Sequence, residues 1–166
     1  MKNGQENTAA IPLEFDRLYA AYADMVYRLA LLRTRSRTDA EDVVQEVFFR
    51  CLRRQPDFQS VEHQKAWLLT VTVNCSKNLL TSAFRRHTVG EDALAMQAAQ
   101  EGSDGWVYEL VASLPGKYKT VIHLHYYEGY AVAEIAQMLK ANESTVKSWL
   151  HRGRAMLRER LEENEA

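Results

Sequence analysis

A stretch near the C-terminus combines side chains that bind DNA with the spacing of a helix. One face of residues 143–161 carries small and apolar residues three or four positions apart, namely Val146, Leu150, Gly153 and Leu157. The opposite face carries hydrogen-bonding and cationic side chains, namely Ser144, Lys147, Ser148, His151 and Arg152. Side chains of these types contact base edges in the major groove, and Arg154 further along suits a phosphate. The pattern predicts the recognition helix of a DNA-binding domain.

A shorter helix before this one completes a helix-turn-helix. Residues 132–139 place Ile135 and Leu139 on an inward face, and only residues 140–142 separate them from the recognition helix. Two helices joined by such a turn are the arrangement that places a recognition helix in the major groove. The alternative is an amphipathic helix with a basic face towards solvent. The turn and the first helix favour DNA binding.

The residues that could bind a metal or catalyse a reaction are poorly placed for either. His123 and His125 lie two residues apart and point to different sides of a helix, whereas two ligands on one face need a four-residue spacing. Cys51 and Cys75 are single residues on apolar faces, which is typical of packing thiols. The sequence contains no glycine-rich phosphate loop, nucleophile elbow or paired carboxylate with a nearby base. We expect no metal, no cofactor and no catalytic site.

The net charge of −1 over 166 residues hides two basic stretches. Residues 67–90 carry three basic and no acidic side chains, and residues 143–160 carry five basic and two acidic ones. Between them, residues 91–112 carry five acidic and no basic side chains. Near-neutral charge argues against a nucleic-acid partner only when the charge is evenly spread, so DNA binding stays open. We expect modest affinity for DNA in the free protein.

Helical spacing of apolar residues extends over nearly the whole chain and predicts an all-α fold. We predict helices at 13–34, from an N-cap at Thr38 to about Arg54, and at 65–86, with a loop at 55–64. The second helix would bury one face, consisting of Val43, Val44, Val47, Phe48, Cys51 and Leu52. The β-branched run at 68–73 favours a strand on propensity, but helical spacing continues through it, so we predict a helix.

Two small helical domains joined by a flexible acidic linker account for this pattern. We assign residues 1–12 to a disordered tail, 13–89 to the first domain, 90–105 to the linker, 106–161 to the second domain and 162–166 to an acidic tail. The first residues lack the features of a secretory signal, two Cys cannot form a disulfide framework, and no apolar run approaches the ~20 residues of a membrane span. We therefore expect a cytoplasmic protein without membrane insertion.

Several motifs, in their order along the chain, resemble those of bacterial RNA polymerase sigma factors. Residues 39–48 resemble conserved region two, and Trp67-Leu68 followed by Asn74 and Arg85-Arg86 resembles the promoter-melting and minus-ten-reading part of that region. Residues 114–118, 134–136 and 145–154 resemble region four. The small size and the lack of a region-three domain resemble the extracytoplasmic-function (group IV) subfamily.

The resemblance implies a protein that binds core polymerase, directs it to promoters and promotes DNA opening without being an enzyme itself. The beta and beta-prime subunits of core polymerase would form the partner of a surface on the second helix, made of Asp39, Glu41, Asp42, Gln45 and Glu46. The minus-ten element of promoter DNA would contact Trp67, Asn74, Lys77, Asn78, Arg85 and Arg86. The minus-thirty-five element would contact Ser144, Thr145, Lys147, Ser148, Trp149, His151, Arg152 and Arg154.

Within the minus-ten set, the resemblance suggests different roles for different side chains. The amides of Asn74 and Asn78 can both donate and accept at one base edge, which suits them to base reading. Lys77, Arg85 and Arg86 would hold phosphates, whereas the residue type of Trp67 favours a role in the core over DNA contact. A base flipped out of the non-template strand would enter a pocket under the loop at 55–64.

Two other functions remain compatible with the residues. A stand-alone helix-turn-helix regulator would bind duplex DNA without polymerase and would need a dimer to span two half-sites. A signalling or ribonucleoprotein adaptor would use residues 39–46 as a protein-binding face. For the favoured function, the resemblance also implies an anti-sigma factor as a partner.

Overall fold

The computed structural model describes residues 7–86 and 105–166, with side chains described over 14–82 and 105–166. Three helices form an N-terminal bundle: α1 (Asn7–Thr34), α2 (Arg37–Arg54) and α3 (Val61–Arg86). Their shared core consists of apolar residues at helical spacing, among them Val26, Ala30, Val43, Val47, Phe48 and Leu68. The all-α fold class predicted from the sequence is confirmed.

The start of α2 is fixed by a serine that the sequence analysis did not select. Ser36 has the extended backbone of an N-cap, and its Oγ accepts a hydrogen bond from the backbone N–H of Asp39 at 3.3 Å. The predicted N-cap Thr38 lies inside the helix instead, because Ser36 caps a free N–H group two residues earlier. The helix ends at Arg54 as predicted, where Gln55 turns left-handed and donates to the carbonyl of Cys51.

The β-branched run in α3 is helical, as predicted. The Thr70 hydroxyl donates to the Ala66 carbonyl at 2.7 Å, and the Thr72 hydroxyl donates to the Leu68 carbonyl at 2.6 Å. These bonds satisfy the hydroxyls inside the helix, so they do not compete with its backbone bonds. The helix begins at Val61, earlier than predicted, and the preceding loop is correspondingly shorter.

The first helix also begins earlier than predicted, at Asn7 rather than at residue 13. Pro12 therefore lies inside α1.

The remaining helices form a C-terminal module. They are α4 (Gly105–Ala112), α5 (Gly116–Ile122), a π-helical turn (His123–Tyr127), α6 (Val132–Leu139) and α7 (Glu143–Glu165). Gly129 has a φ of 81°, a left-handed value that allows the chain to turn between the π-helical turn and α6. The last helix continues into the predicted acidic tail. Of the predicted linker, all but Gly105 lies outside the described residues.

The bundle and the module pack against each other. Leu29 and Leu32 of α1 and Leu69 of α3 belong to the same buried cluster as Leu124 and Ile135 of the module. None of the helices in the described part of the chain is long and apolar enough to cross a membrane.

Candidate nucleic-acid interface

The recognition helix α7 separates a buried face from a polar one. Val146 and Leu150 are almost completely buried, and Gly153 is buried beside them. Six of the side chains predicted to contact DNA are exposed: Ser144, Lys147, Ser148, His151, Arg152 and Arg154. Thr145 and Trp149 are half-buried, because their positions border the buried face. One side of α7 therefore presents donors and cations to solvent, most densely in its N-terminal half.

Gly153 lets α7 approach α5 closely. A Cβ atom at this position would lie 3.1 Å from Cγ1 and 3.3 Å from Cδ1 of Ile122, and 3.6 Å from Cβ of Tyr118. Any larger side chain must therefore displace Ile122. This packing holds the apolar face of α7 on the module and leaves the polar face exposed.

Replacing Gly153 with valine should lower the free energy of unfolding by about 2 kcal/mol, since overpacking a tight contact costs 1–3 kcal/mol. Urea titration measures the loss. Ala155→Val is the matched control, because Ala155 is exposed on the same helix and tests β-branching alone, worth about 0.5 kcal/mol. Equal losses in the two variants would refute the close packing.

Lys117, at the start of α5, extends the basic surface, because it and Arg152 of α7 both lie next to Tyr118. Arg152 hydrogen-bonds the hydroxyl of Tyr118 and lowers the pKa of that tyrosine. Lys117 lies 5.2 Å from the Tyr118 ring and 6.0 Å from the Trp149 ring. The sequence analysis missed Lys117, although the Pro-Gly turn before it places a cation at the first turn of a helix. Arg154 lies at the opposite margin of this polar face, where it donates to the Tyr126 hydroxyl at 3.1 Å.

The predicted minus-ten residues of α3 share one face. At 100° per residue, Trp67, Asn74, Lys77 and Asn78 occupy an arc of about 100°. The last three are exposed, whereas Trp67 is half-buried and its ring meets Phe58 edge to face at 5.7 Å. The side chains of Arg85 and Arg86 lie outside those described.

The surroundings of the two asparagines differ. Asn78 borders a cleft of about 420 Å³ that is also lined by Asp39, Asp42, Glu46 and Arg50. The three carboxylates of this cleft repel phosphates, so contact between the DNA backbone and α3 is unfavourable near Asn78. Asn74 is outside this lining and lies one turn before Asn78, on the same arc as Lys77.

The loop between α2 and α3 is held in one shape and borders a cleft. The Nδ1 atom of His63 accepts from the backbone N–H of Gln59 at 3.1 Å, and Ser60 Oγ accepts from the His63 N–H at 3.0 Å. Phe58 lies between His63 and Trp67 in edge-on ring contacts. The cleft has a volume of about 330 Å³ and is lined by Phe15, Leu18, Leu52, Pro56, Phe58 and Gln64, among others.

The acidic residues of α2 divide into two groups. Glu41, Asp42 and Gln45 are exposed, whereas Asp39 and Glu46 are half-buried. Glu46 forms an ion pair with Arg50 at 2.8 Å, and this hydrogen bond raises the pKa of the arginine. Asp39 lies in the first turn, where the helix dipole favours an acid.

Two large apolar side chains extend the exposed face of α2. Phe49 is 54% exposed, with Arg53 stacked on its ring at 5.5 Å, and Leu52 is 40% exposed. The prediction that Leu52 belongs to the buried face is wrong, because its position lies at the margin of that face. The sequence analysis did not identify Phe49 as an exposed apolar residue. The adjacent Phe48 and Phe49 could have indicated it, since only one of two neighbouring residues on a helix can face the core.

The cysteines and histidines have structural environments. Cys51 and Cys75 are buried free thiols, as predicted, and burial raises the pKa of each. His125 Nδ1 lies 2.7 Å from the Tyr130 carbonyl oxygen, while the His123 ring stacks on Tyr127. Within the described ranges, no group of three or more His, Cys, Asp or Glu side chains is placed to hold a metal ion.

Comparison with known families accounts for both halves of the chain. The family model of sigma-70 region 2 matches residues 18–88, and that of sigma-70 region 4 matches residues 104–157. The sigma-E factor of Haemophilus influenzae, an extracytoplasmic-function (ECF) RNA polymerase sigma factor, is 30% identical over 89% of this chain and 87% of its own length. The chain belongs to the ECF sigma factors of bacterial RNA polymerase. The resemblance seen in the motifs is thereby confirmed.

Other relatives of this sigma factor agree. SigL of Mycobacterium tuberculosis is 32% identical over 88% of each chain. SigE of Mycolicibacterium smegmatis is 30% identical over 92% of this sigma factor, which spans 63% of that relative's length. As a member of this family, the protein is a promoter-specificity subunit in transcription initiation.

Solved structures support the fold of this sigma factor. RpoE of Bartonella quintana, solved in complex with the anti-sigma factor NepR, superposes with a TM-score of 0.66 at 20% identity, covering 90% of this chain and 97% of RpoE. CnrH, solved with the cytosolic domain of CnrY, gives 0.64 at 24% identity, covering 89% of this chain and 87% of CnrH.

Proposed function

We propose that this sigma factor binds core polymerase through α2, reads the minus-ten element through α3 and reads the minus-thirty-five element through α7. The observation that carries the proposal is the recognition face of α7, where six predicted DNA contacts are exposed opposite a buried packing face. The exposed polar face of α3 supplies a second DNA surface in the same chain.

The polymerase-binding surface that we propose combines charge with apolar anchors. Glu41, Asp42, Gln45, Phe49 and Leu52 lie within an arc of about 100° on α2. Exposed carboxylates at one end steer a basic partner, and exposed apolar side chains at the other supply contact area that desolvates on binding. Asp39 and Glu46 are half-buried. Asp39 stabilises the start of α2, and Glu46 binds Arg50, so we propose that both support the polymerase-binding surface indirectly.

For the minus-ten element, Asn74 is the base reader that we propose. Its amide is exposed away from the acidic cleft that borders Asn78, and Lys77 on the same arc can hold a phosphate. The cleft beside the 55–60 loop has the volume of a small-ligand pocket and aromatic walls on which a flipped base can stack.

For the minus-thirty-five element, we propose that Lys147 and Ser148 read bases while Arg152 and Lys117 hold phosphates. Lys147 and Ser148 lie in the N-terminal half of α7, the part that enters the major groove. Arg152 hydrogen-bonds the Tyr118 hydroxyl at the edge of the recognition face. This position favours contact with a phosphate over contact with a base edge.

Arg152→Ala should weaken binding to every promoter by a similar factor and should lower the slope of log affinity against log salt by about one. Ser148→Ala should instead change which base is preferred at one position, with a discrimination of about 1–3 kcal/mol. Titrating labelled minus-thirty-five duplexes with the polymerase holoenzyme at several salt concentrations measures both. If the two variants behave identically across duplexes, this division of roles is wrong.

We also propose an anti-sigma factor as a partner, because both structural neighbours are held in complexes that include such an inhibitor or a cytosolic domain of a second protein. The protein would act in the cytoplasm with core polymerase. It would have no catalytic site of its own.

Mapping transcription start sites after overexpression tests the function in cells. We expect a set of new start sites that share sequence elements near minus ten and minus thirty-five. Binding to isolated DNA without new start sites would favour a stand-alone helix-turn-helix regulator.

A further inference from the structure

An apolar cleft lies between α1 and the module, away from the surfaces described above. Its volume is about 410 Å³, which is within the range of small-molecule sites. Half of its lining is aliphatic and comes from α1, α4, α5 and α7, namely Leu32, Val107, Val111, Ile122 and Leu157. It shares no lining residue with the two clefts that border α2, and none of the residues proposed above to contact DNA or core polymerase lines it.

The π-helical turn supplies most of the aromatic part of the lining. The backbone N–H of Glu128 donates to the His123 carbonyl at 3.0 Å, which closes the wider turn. Three of the five side chains of this turn line the cleft, namely His123, Tyr126 and Tyr127. The two tyrosines are 58% and 57% exposed, so their rings are accessible to a ligand. Wider turns of this kind are frequent at functional sites.

The cleft also contains a hydroxyl group that lacks a partner. Tyr108 lines the cleft, and its hydroxyl oxygen is buried without a hydrogen-bond partner in the described part of the chain. Burial raises the pKa of Tyr108, so the hydroxyl stays protonated at neutral pH and remains a donor. An unpaired buried hydroxyl is unfavourable, and an acceptor that reaches it gains binding free energy.

Arg28 gives the solvent edge of the cleft a positive charge. Its exposed guanidinium group lies 5.3 Å from the centre of the Tyr127 ring and donates to the Tyr127 hydroxyl. A guanidinium has five donors, so this contact leaves others for an anion. The described residues that line the cleft include no carboxylate, and Glu128, which lies 3.4 Å from His123, is paired with Lys65 at 3.1 Å. The charge distribution therefore favours an anionic ligand.

We propose that this cleft binds a small aromatic carboxylate. The ring system would lie among the aliphatic side chains and the rings of Tyr126 and Tyr127, where apolar contact and ring stacking favour it. The carboxylate would accept charge-assisted hydrogen bonds from Arg28, and a single cation suits an anion of one charge. The site does not depend on the proposed function, because it uses none of the DNA-reading or polymerase-binding residues.

Calorimetric titration with two compounds of similar shape tests the site. The first, 2-naphthoate, has the ring system and the carboxylate, whereas 2-naphthalenemethanol has the same rings and a neutral hydroxyl group. We expect 2-naphthoate to bind the full-length protein at one site with a dissociation constant of about 0.1 mM, as suits a ligand of about a dozen non-hydrogen atoms. The alcohol should bind about tenfold more weakly, because it lacks the charge-assisted bonds.

Variants of the cleft separate the two parts of the proposal. Arg28→Gln should weaken 2-naphthoate binding about tenfold and leave binding of the alcohol unchanged. Arg17→Gln is the matched control, since Arg17 is exposed on the same helix and does not line the cleft. Val107→Trp should fill the cleft and weaken both compounds at least tenfold, whereas Val61→Trp, at an exposed valine elsewhere, should weaken neither. Thermal melts monitored by circular dichroism show whether each variant is folded.

Several outcomes would overturn the proposal. These are no binding of either compound to the wild type at ten times the expected dissociation constant, or full binding to folded Val107→Trp. Equal affinity for the acid and the alcohol, or equal losses in Arg28→Gln and Arg17→Gln, would contradict the anionic ligand class. Self-association of the wild type that Val107→Trp removes, measured by sedimentation velocity, would instead assign the cleft to a second copy of the chain.

Discussion

Asp42→Lys should lower the affinity of this sigma factor for core polymerase about 100-fold and remove most promoter-specific transcription. Asp42 is exposed on the proposed binding face of α2, and reversing a charge within a complementary interface costs several kcal/mol. Stability should change by less than about 0.5 kcal/mol, because the side chain lies outside the core. Competition with a labelled wild-type protein for core polymerase measures the affinity.

Asp24→Lys is the matched control for this charge reversal. Asp24 is exposed on α1, away from the proposed polymerase-binding face. We expect it to compete as well as the wild type does. Equal losses in the two variants would mean that net charge, and not the face of α2, decides the binding.

Asn74→Ala should reduce open-complex formation about tenfold to 100-fold at a promoter with the preferred minus-ten sequence. Losing a base-reading amide costs about 1–3 kcal/mol of binding free energy. Because Asn74 is exposed, the substitution should not affect folding. Permanganate footprinting of unpaired thymines measures strand opening. Binding to a minus-thirty-five duplex should not change.

Lys77→Ala provides the comparison for this prediction. A lost phosphate contact should weaken opening on all minus-ten sequences alike and should be offset by lower salt. The Asn74 defect should instead disappear on templates in which the base that it reads has been changed, because the wild type then loses the same contact. If the defect of Asn74→Ala depends on salt but not on the template sequence, Asn74 contacts the DNA phosphate backbone and does not read a base.

Local sequence patterns were enough to predict most of the helices. The spacing of Leu68, Val71 and Cys75 predicted a helix where β-branched propensity favoured a strand, and the structure confirms it. The cap of α2 was misplaced because Ser36 and Thr38 are both capable N-caps, and only backbone geometry distinguishes them. The π-helical turn at His123–Tyr127 was not predicted, since one wider turn leaves the apolar spacing almost unchanged.

Features that depend on contacts between distant residues were not predictable. Lys65 and Glu128 are ordinary charged residues in the sequence, and only the packing of the bundle on the module pairs them. The exposure of Phe49 likewise depends on which of two adjacent aromatic residues faces the core. By contrast, the polar face of α7 follows directly from the buried positions Val146, Leu150 and Gly153, so its residues were identified in advance.

Reconstituted transcription tests the central claim most directly. Purified protein is added to core polymerase with promoters from its own genome, and run-off transcripts are measured. We expect a specific transcript that requires this chain, weakens with Asn74→Ala and is nearly lost with Asp42→Lys. The absence of a specific transcript from every promoter, with polymerase that is active with another sigma factor, would contradict the account.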